Sequence, residues 1–394
     1  MLRYFTAGES HGEALVAFLS GLPAGLQVNQ EFIDRELWRR QQGFGRGGRM
    51  KIEKDTAHIL SGVRHGKTIG SPIAVQIENR DWKNWQEILP VETGDQAKHK
   101  SVASPRPGHA DLAGSLKYNF PEARYVLERA SARESTGRVA VGALAKLFLQ
   151  ELGIEVLSHV IAVGKAALAD ADVPWEKVKQ LHAKNEVLLN CADPEAEERM
   201  RKEVDQALRT GDSVGGVFEV VVHNVPPGLG TYAQWDERLD GMLAQAVMSL
   251  QAVKAVEIGT GVESALSFGS GVHDEIGYSR EDAKEHFTGF TRKSNHAGGV
   301  EGGISNGEDI LVRGYLKPIS TLRRPLGSVD FESREPVKAA YERSDVCVVP
   351  AAGVAAEAMV ALVMARCALD KFGGDSMTET LRNFEGYKQQ LREF

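Results

Sequence analysis

Two histidines stand out by their neighbours. His11 lies in Gly8-Glu-Ser-His-Gly12 and His109 in Pro107-Gly-His-Ala-Asp111, each presented by glycine at the edge of an expected element. Imidazole gains or loses a proton near neutral pH, so the pair suits acid/base work. A metal site is not expected, because no cysteine or carboxylate stands at matching ligand spacing. The plain alternative for each is a turn residue. Ser10 beside His11 lacks the G-x-S-x-G elbow of a hydrolase nucleophile. After His109 the chain carries Arg129, Ser131 and Arg133. A helix from about 121 to 152 places Arg129 and Arg133 four apart on one face. Paired guanidiniums repel unless an anion lies between them, which points to a phosphate or carboxylate; two solvated surface arginines are the alternative.

Further cations gather between Arg39 and Lys51. That run, RRQQGFGRGGRMK, holds Arg39, Arg40, Arg46, Arg49 and Lys51 and no acid. Its glycines let the backbone wrap an anion, so the reading is a flexible clamp over a small polyanion. An RGG-type RNA-binding segment is the rival, weakened by the lack of a repeated aromatic and basic pattern. Lys317-Pro-Ile-Ser-Thr321 closes a strand with one cation and two hydroxyls, suited to a phosphate or ring carbonyls or simply to a loop. Arg343 and Asp345 stand at the mouth of the last apolar helix, where they serve a ligand, pair with each other or cap the helix.

The elements that must position these groups follow from composition and pattern. The chain has 394 residues and a net charge of −7, which argues against general adhesion to nucleic acid or anionic membranes. Three cysteines, Cys191, Cys347 and Cys367, form no complete disulfide framework and fit a reducing cytoplasm. The start, MLRYFTAGESHG, reads as a strand and turn rather than a secretory signal. The apolar run from 346 to 369 is interrupted by Pro350, Gly353, Glu357 and Arg366 and reads as a buried helix, not a membrane span.

In order, residues 14–28 give a strand and a Pro-x-Gly-Leu turn, and Asn29 caps a helix leading into the basic run. HILSGV and SPIAVQIE are strands, 80–104 a surface excursion, and 155–212 a peripheral insert with two amphipathic helices and no assigned chemistry. The pattern then repeats. Pro23, Gly25 and Leu26 are answered by Pro226, Gly228 and Leu229, and the glycines of 62–70 by those of 299–307, each followed by an alanine-rich helix. The reading is one domain over 1–394, with related halves at about 1–152 and 213–372. Its class is α+β, with central helices sandwiched between two antiparallel sheets. A doubly wound sheet is the alternative, disfavoured because GFGRGG follows a helix rather than a strand.

The motifs GESHG, RRQQGFGRGGRMKIE, SGVRHGKTIGSPI, PRPGHADLAG, RASARESTGRVAVGA, NHAGGVEGGISNG and RSDVCVVPAAGVAAEAM together resemble the chorismate synthase family, in order and spacing across nearly the whole chain. The resemblance implies a cytoplasmic shikimate-pathway lyase that converts 5-enolpyruvylshikimate-3-phosphate to chorismate and phosphate with reduced FMN, as a homotetramer. NADPH would be an indirect reductant, since no extra segment for a built-in flavin reductase is evident. Carried over by position, His11 would donate a proton toward the flavin, His109 would neutralise the departing phosphate, and Asp345 would assist proton traffic. Flavin contacts would fall on Arg129, Ala130, Ser131, Gln251, Ala252, Gly302, Lys317, Pro318, Ile319, Ser320, Thr321 and Arg343. Arg40 and Arg46 match NADPH positions, and with Arg49 and Arg133 they are equally suited to the substrate's anions. Ala130 and Gln251 stand where the family more often has serine and asparagine. The ligands implied bring roughly six negative charges, which local arginine clusters can gather inside an acidic chain.

Overall fold

The computed structural model describes residues 1–48, 53–170, 172–183, 187–279, 287–342 and 344–394. Arg49, Lys51 and Arg343 therefore lie outside the described residues. The first sheet comprises β1 (Arg3–Ala7), β2 (Ala14–Ser20), β3 (His58–Ile59) and β4 (Ile73–Glu78), in the order β1-β2-β4-β3 and antiparallel throughout. The second comprises β5 (Glu155–Val163), the two-residue strand Ala166–Ala167, β6 (Gly216–His223), β7 (Val253–Ile258) and β8 (Ile310–Leu316), with Ala166–Ala167 at one edge followed by β5, β6, β8 and β7, also antiparallel. Apart from the extra edge strand Ala166–Ala167, the run β5-β6-β8-β7 has the same order as β1-β2-β4-β3. Antiparallel pairing excludes the doubly wound alternative.

The likeness extends to hydrogen bonds. Both Pro-x-Gly-Leu turns place glycine at positive φ, 91° at Gly25 and 98° at Gly228, which only glycine adopts freely. In the first turn the Thr68 hydroxyl accepts from Leu26 N (2.9 Å) and donates to Pro23 O (2.6 Å). In the second, Ser305 accepts from Leu229 N (2.8 Å) and donates to Pro226 O (2.7 Å). Each hydroxyl satisfies a buried amide that would otherwise be orphaned.

The helices are α1 (Gln30–Gln41), α2 (Asp111–Tyr118), α3 (Arg124–Ala130), α4 (Ser135–Glu151), α5 (Trp175–His182), α6 (Pro194–Thr210), α7 (Leu239–Met248), α8 (Val349–Phe372) and α9 (Met377–Glu393). Asn29 caps α1 by accepting from Phe32 N, as its position predicts. Helices α4 and α8 run through the middle, α4 against β2 and β4, α8 against β5 and β6. They approach so closely that a Cβ on Gly142 would fall 2.3 Å from that of Ala358. Helix α8 is long and apolar enough to cross a bilayer, but 78% of its apolar window is buried among the other elements.

Four charges are buried in this helical layer. Arg39 bonds Glu36 (2.7 Å) and Glu357 (2.6 and 2.8 Å), Lys146 bonds Glu36 (2.5 Å) and Glu357, and Ser158 Oγ donates to Glu357 (2.6 Å). Arg39 is therefore a core residue and not part of an anion clamp. The helix period that carries Arg40 one residue further round explains the difference.

Two other expectations change. Strand β5, expected at the periphery, pairs along its length with β6 and at its end with Ala166–Ala167, and so lies inside the second sheet. The helix expected from about 121 to 152 is broken at Ser131, whose backbone is extended (φ −62°, ψ 139°) before a 3-10 turn over Ala132–Glu134 leads into α4. Ser131 Oγ caps that turn by accepting from Arg133 N at 3.3 Å. Helix α9, for which the sequence reading made no assignment, starts on a Ser376 cap that accepts from Glu379 N.

Candidate active site

A cleft of about 630 Å³ opens where the ends of α1, α3, α4 and α8 meet the loops after β1, β4, α7 and β8. That volume suits a small ligand or two. Its apolar lining comes from Leu127, Leu250, Val348, Ala351, Ala352 and Ala355, and its cationic lining from Arg40, Arg46, Lys100, Arg106, Arg124, Arg133 and Lys317. His11 and His109 both line it.

The break at Ser131 decides which arginine faces inward. Arg133 is buried and grips Asp55 through Nη1 at 2.6 and 2.8 Å, while Arg40 Nη2 meets the same carboxylate at 3.0 Å. One carboxylate thus serves two guanidiniums. Burial alone would raise the Asp55 carboxyl, but Arg40 and Arg133 outweigh it and hold it below the usual range. Burial, with Arg133 and Arg46 nearby, pushes Arg40 down to about 10 despite Asp55, so it stays cationic at neutral pH. Its Nε, buried, makes no hydrogen bond among the described residues. An under-neutralised cation with an unused donor in a cleft wall is what an incoming anion completes. Arg129 turns the other way: nearly half exposed, it donates to Thr6 O, Thr6 Oγ1 and Gly8 O, and it does not line the cleft. The anion between paired guanidiniums is real, but the pair is Arg40 and Arg133, and the anion is the protein's own Asp55.

The glycine-rich loop is docked along its described part. Gly45 O accepts from Val346 N (2.8 Å), Gly47 N donates to Asp345 Oδ1 (2.5 Å) and Arg46 Nη1 pairs with Asp345 Oδ2 (3.2 Å). Asp345 therefore fastens Arg46 to the mouth of α8 instead of capping that helix, whose N-terminus has no side-chain cap.

On the opposite wall Arg106, nearly fully buried, organises His109. It donates to both oxygens of Asp111 (2.8 and 3.0 Å) and to Thr321 Oγ1 (2.8 Å), and lies 3.1 Å from His109 Nδ1. Asp111 Oδ1 meets His109 Nδ1 at 2.5 Å. Burial would raise Asp111, but the His109 and Arg106 contacts hold it far below the carboxylate range. The Thr321 bond ties this loop to the 317–321 segment, of which Lys317, Ile319, Ser320 and Thr321 line the cleft, with Pro318 between them in the chain. Burial, then Lys254, pulls Lys317 below its usual value, a shift that a bound anion would reverse.

Ala130, Ser131, Gln251 and Ala252 also line the cleft, and the Gln251 amide donates to Glu134 at 3.1 Å. Gly302 does not. It forms the turn between Val300–Glu301 and Ile304–Ser305, beside the N-terminal end of α7, whereas Gln251 follows the C-terminal end, a helix length of ~15 Å away. Several polar or aromatic lining residues lay outside those singled out from sequence, Arg124 on α3 among them. Trp85 and Lys100 belong to the 80–104 excursion, and Arg106 sits within the PRPGHADLAG motif. The spacing Arg106-x-x-His109-x-Asp111 was the available signal. Nothing local marked Trp85, since its role depends on where the excursion folds back. Among the described residues, no group of three or more His, Cys, Asp or Glu side chains could hold a metal.

Comparison with known proteins gives one consistent finding. A family model described as chorismate synthase matches residues 2–369. A curated chorismate synthase of Koribacter versatilis (strain Ellin345) is 76% identical over 394 residues, with both chains covered in full. That of Aquifex aeolicus (strain VF5) is 52% identical, over 100% of this chain and 99% of the relative. A crystal structure of chorismate synthase superposes with a TM-score of 0.78 at 42% identity, covering 100% of this chain and 99% of that one.

Proposed function

We propose, from the premise that this chain belongs to the chorismate synthase family and is a lyase converting 5-enolpyruvylshikimate-3-phosphate to chorismate and phosphate, that the cleft between His11 and His109 is where the elimination takes place. The observation that carries the assignment is the meeting of both histidines with seven cationic side chains in one cleft of an acidic protein. The family's reaction requires a reduced flavin, and FMN is the form proposed here. The apolar lining suits a flat ring system, and the unused Arg40 donor and the depressed Lys317 suit phosphate. Ala130, Ser131, Gln251, Ala252, Lys317, Ile319, Ser320 and Thr321 would hold the flavin, which when bound supplies electron density to the breaking allylic C–O bond and recovers it.

The remaining work falls to side chains of this chain. Arg40, Arg46, Arg106, Arg124 and Lys100 bind and orient the substrate's carboxylates and phosphate, the interactions that place its ring before reaction. His109, backed by Arg106, stabilises negative charge on the leaving phosphate by donating a proton or hydrogen bond. His11 holds a proton at the other wall, and Asp345 fixes Arg46 at the mouth. NADPH is assigned only an indirect role, in reducing flavin elsewhere. The inward-facing Arg46, Gly47 and Gly48 favour a small anion over RNA as the loop's ligand. A cytoplasmic compartment and a homotetramer complete the proposal, the latter supported by the exposed Phe5 (71%) and Phe18 (45%), which face each other across β1 and β2.

The test is anaerobic turnover with reduced FMN, followed by chorismate absorbance. His11→Ala and His109→Ala are each expected to slow kcat by about 10²-fold while flavin still binds. Wild-type rates in both variants would overturn the acid/base assignment, and aerobic turnover on NADPH and oxidised FMN alone would overturn the indirect role given to NADPH.

A further inference from the structure

The His11 ring is held by two residues that no reading so far has given a task. Glu128, on α3 and 3% exposed, accepts from the His11 main-chain N–H through Oε2 at 2.8 Å and meets ring Nδ1 through Oε1 at 2.9 Å. The Glu128 carbonyl also accepts from Ser10 N at 2.9 Å. One residue thus fixes the Gly8–Gly12 turn at three points. Trp85 covers a face of the ring, with centroids 4.0 Å apart and planes 26° from parallel. Its indole N–H donates to Asp81 at 3.1 Å. Arg124 secures the assembly: it lies 3.5 Å from Glu128 Oε1, donates to Lys100 O at 2.7 Å and stands over the Trp85 ring at 5.3 Å.

We propose that Glu128 is the positioning residue for His11, fixing the ring plane and the Nδ1–H tautomer so that Nε2 is the nitrogen directed away from the carboxylate, with Trp85 closing one face. The role rests on the reading of His11 as the proton-carrying group above. A histidine whose Nδ1–H is held by a carboxylate presents the other nitrogen in one tautomer and one direction, which removes the rotational search that would precede each proton transfer. Burial would raise the Glu128 carboxyl, but the hydrogen bond and charge of His11 outweigh it and hold it below the usual range, leaving both oxygens free to accept. The second wall uses the same arrangement, since Asp111 meets His109 Nδ1 and is itself held by Arg106. A carboxylate backed by an arginine stands behind each histidine.

The test compares Glu128→Ala and Glu128→Gln with the wild type in the full chain, using reduced FMN and 5-enolpyruvylshikimate-3-phosphate. Glu128→Ala is expected to lower kcat by about 30- to 100-fold with KM within about threefold, because ring direction is lost while the anion-binding walls remain. Glu128→Gln is expected to lose about tenfold, since its amide oxygen still accepts Nδ1–H but its amide nitrogen opposes the His11 N–H. Magic-angle-spinning ¹⁵N spectra of ring-labelled protein under mildly alkaline conditions give an independent reading. The signal absent from His11→Ala should report Nδ1–H in the wild type and mainly Nε2–H in Glu128→Ala, as in free histidine. Wild-type kcat in Glu128→Gln, or an unchanged tautomer in Glu128→Ala, overturns the proposal. If His11→Ala itself turns over at the wild-type rate, the proton-carrier reading fails, while the spectra still decide whether Glu128 sets the tautomer. Should Glu128→Ala fail to fold, the nearly isosteric Glu128→Gln decides by kcat alone.

Discussion

At the scale of single residues, the chemistry depends on how arginines are spent. Arg39, Arg40, Arg129 and Arg133 look alike in the sequence, yet the first is neutralised in the core, the second faces the cleft with a donor unused, the third braces the His11 turn from outside and the fourth shares Asp55 with Arg40. Arg106 reaches Asp111, His109 and Thr321 at once. A lysine keeps its charge but cannot make those bonds in one plane. Arg106→Lys is therefore expected to lower kcat/KM by about 10²-fold in steady-state assays, with flavin affinity falling as the Thr321 tie is lost. A near-wild-type kcat/KM would show that charge alone suffices there.

Elements decide direction. The extended backbone at Ser131 turns Arg129 and Arg133 to different sides, and the docked loop after α1 carries Arg46 into the cleft wall. Helix α5 has a quieter task. Its His182 Nε2 donates to Ser158 O at 2.8 Å, beside the buried Arg39–Glu357 charges. Burial, then the Arg39 charge, depresses His182 to about 4 from 6.5. Folding therefore prefers the neutral ring. Above about 6.5 both folded and unfolded chains carry it neutral; as pH falls from about 6.5 toward 4, the unfolded chain takes up a proton that the folded one refuses, and stability declines. The loss from this group is at most ~3 kcal/mol. Thermal melts across that range should show a shallower decline for His182→Gln, and an identical slope would remove the group from the account.

At the scale of the molecule, two antiparallel sheets enclose the helices, and the cleft gathers residues from early and late in the chain: His11 and Arg106, then Gln251, Lys317 and Asp345. The outer face of the first sheet keeps Phe5 and Phe18 exposed beside the unpaired edge of β1. A chain of 42.9 kDa is expected to run at about four times that mass by light scattering, and Phe18→Glu to shift it toward smaller species. A monomer in the wild type would end the tetramer proposal.

Residue types, motif order and hydrophobic period were enough to determine the family, the layered α+β class, the Asn29 cap and the buried α8, because each is written in local spacing. Partners distant in the chain were not. That Asp55 would sit between Arg40 and Arg133, that Glu128 would hold His11, that Trp85 would fold back over it and that Gly302 would end a helix length from Gln251 were decided only by the tertiary structure. A side chain's direction depends on the backbone angle before it and on what packs opposite, and neither is recorded in spacing along the chain.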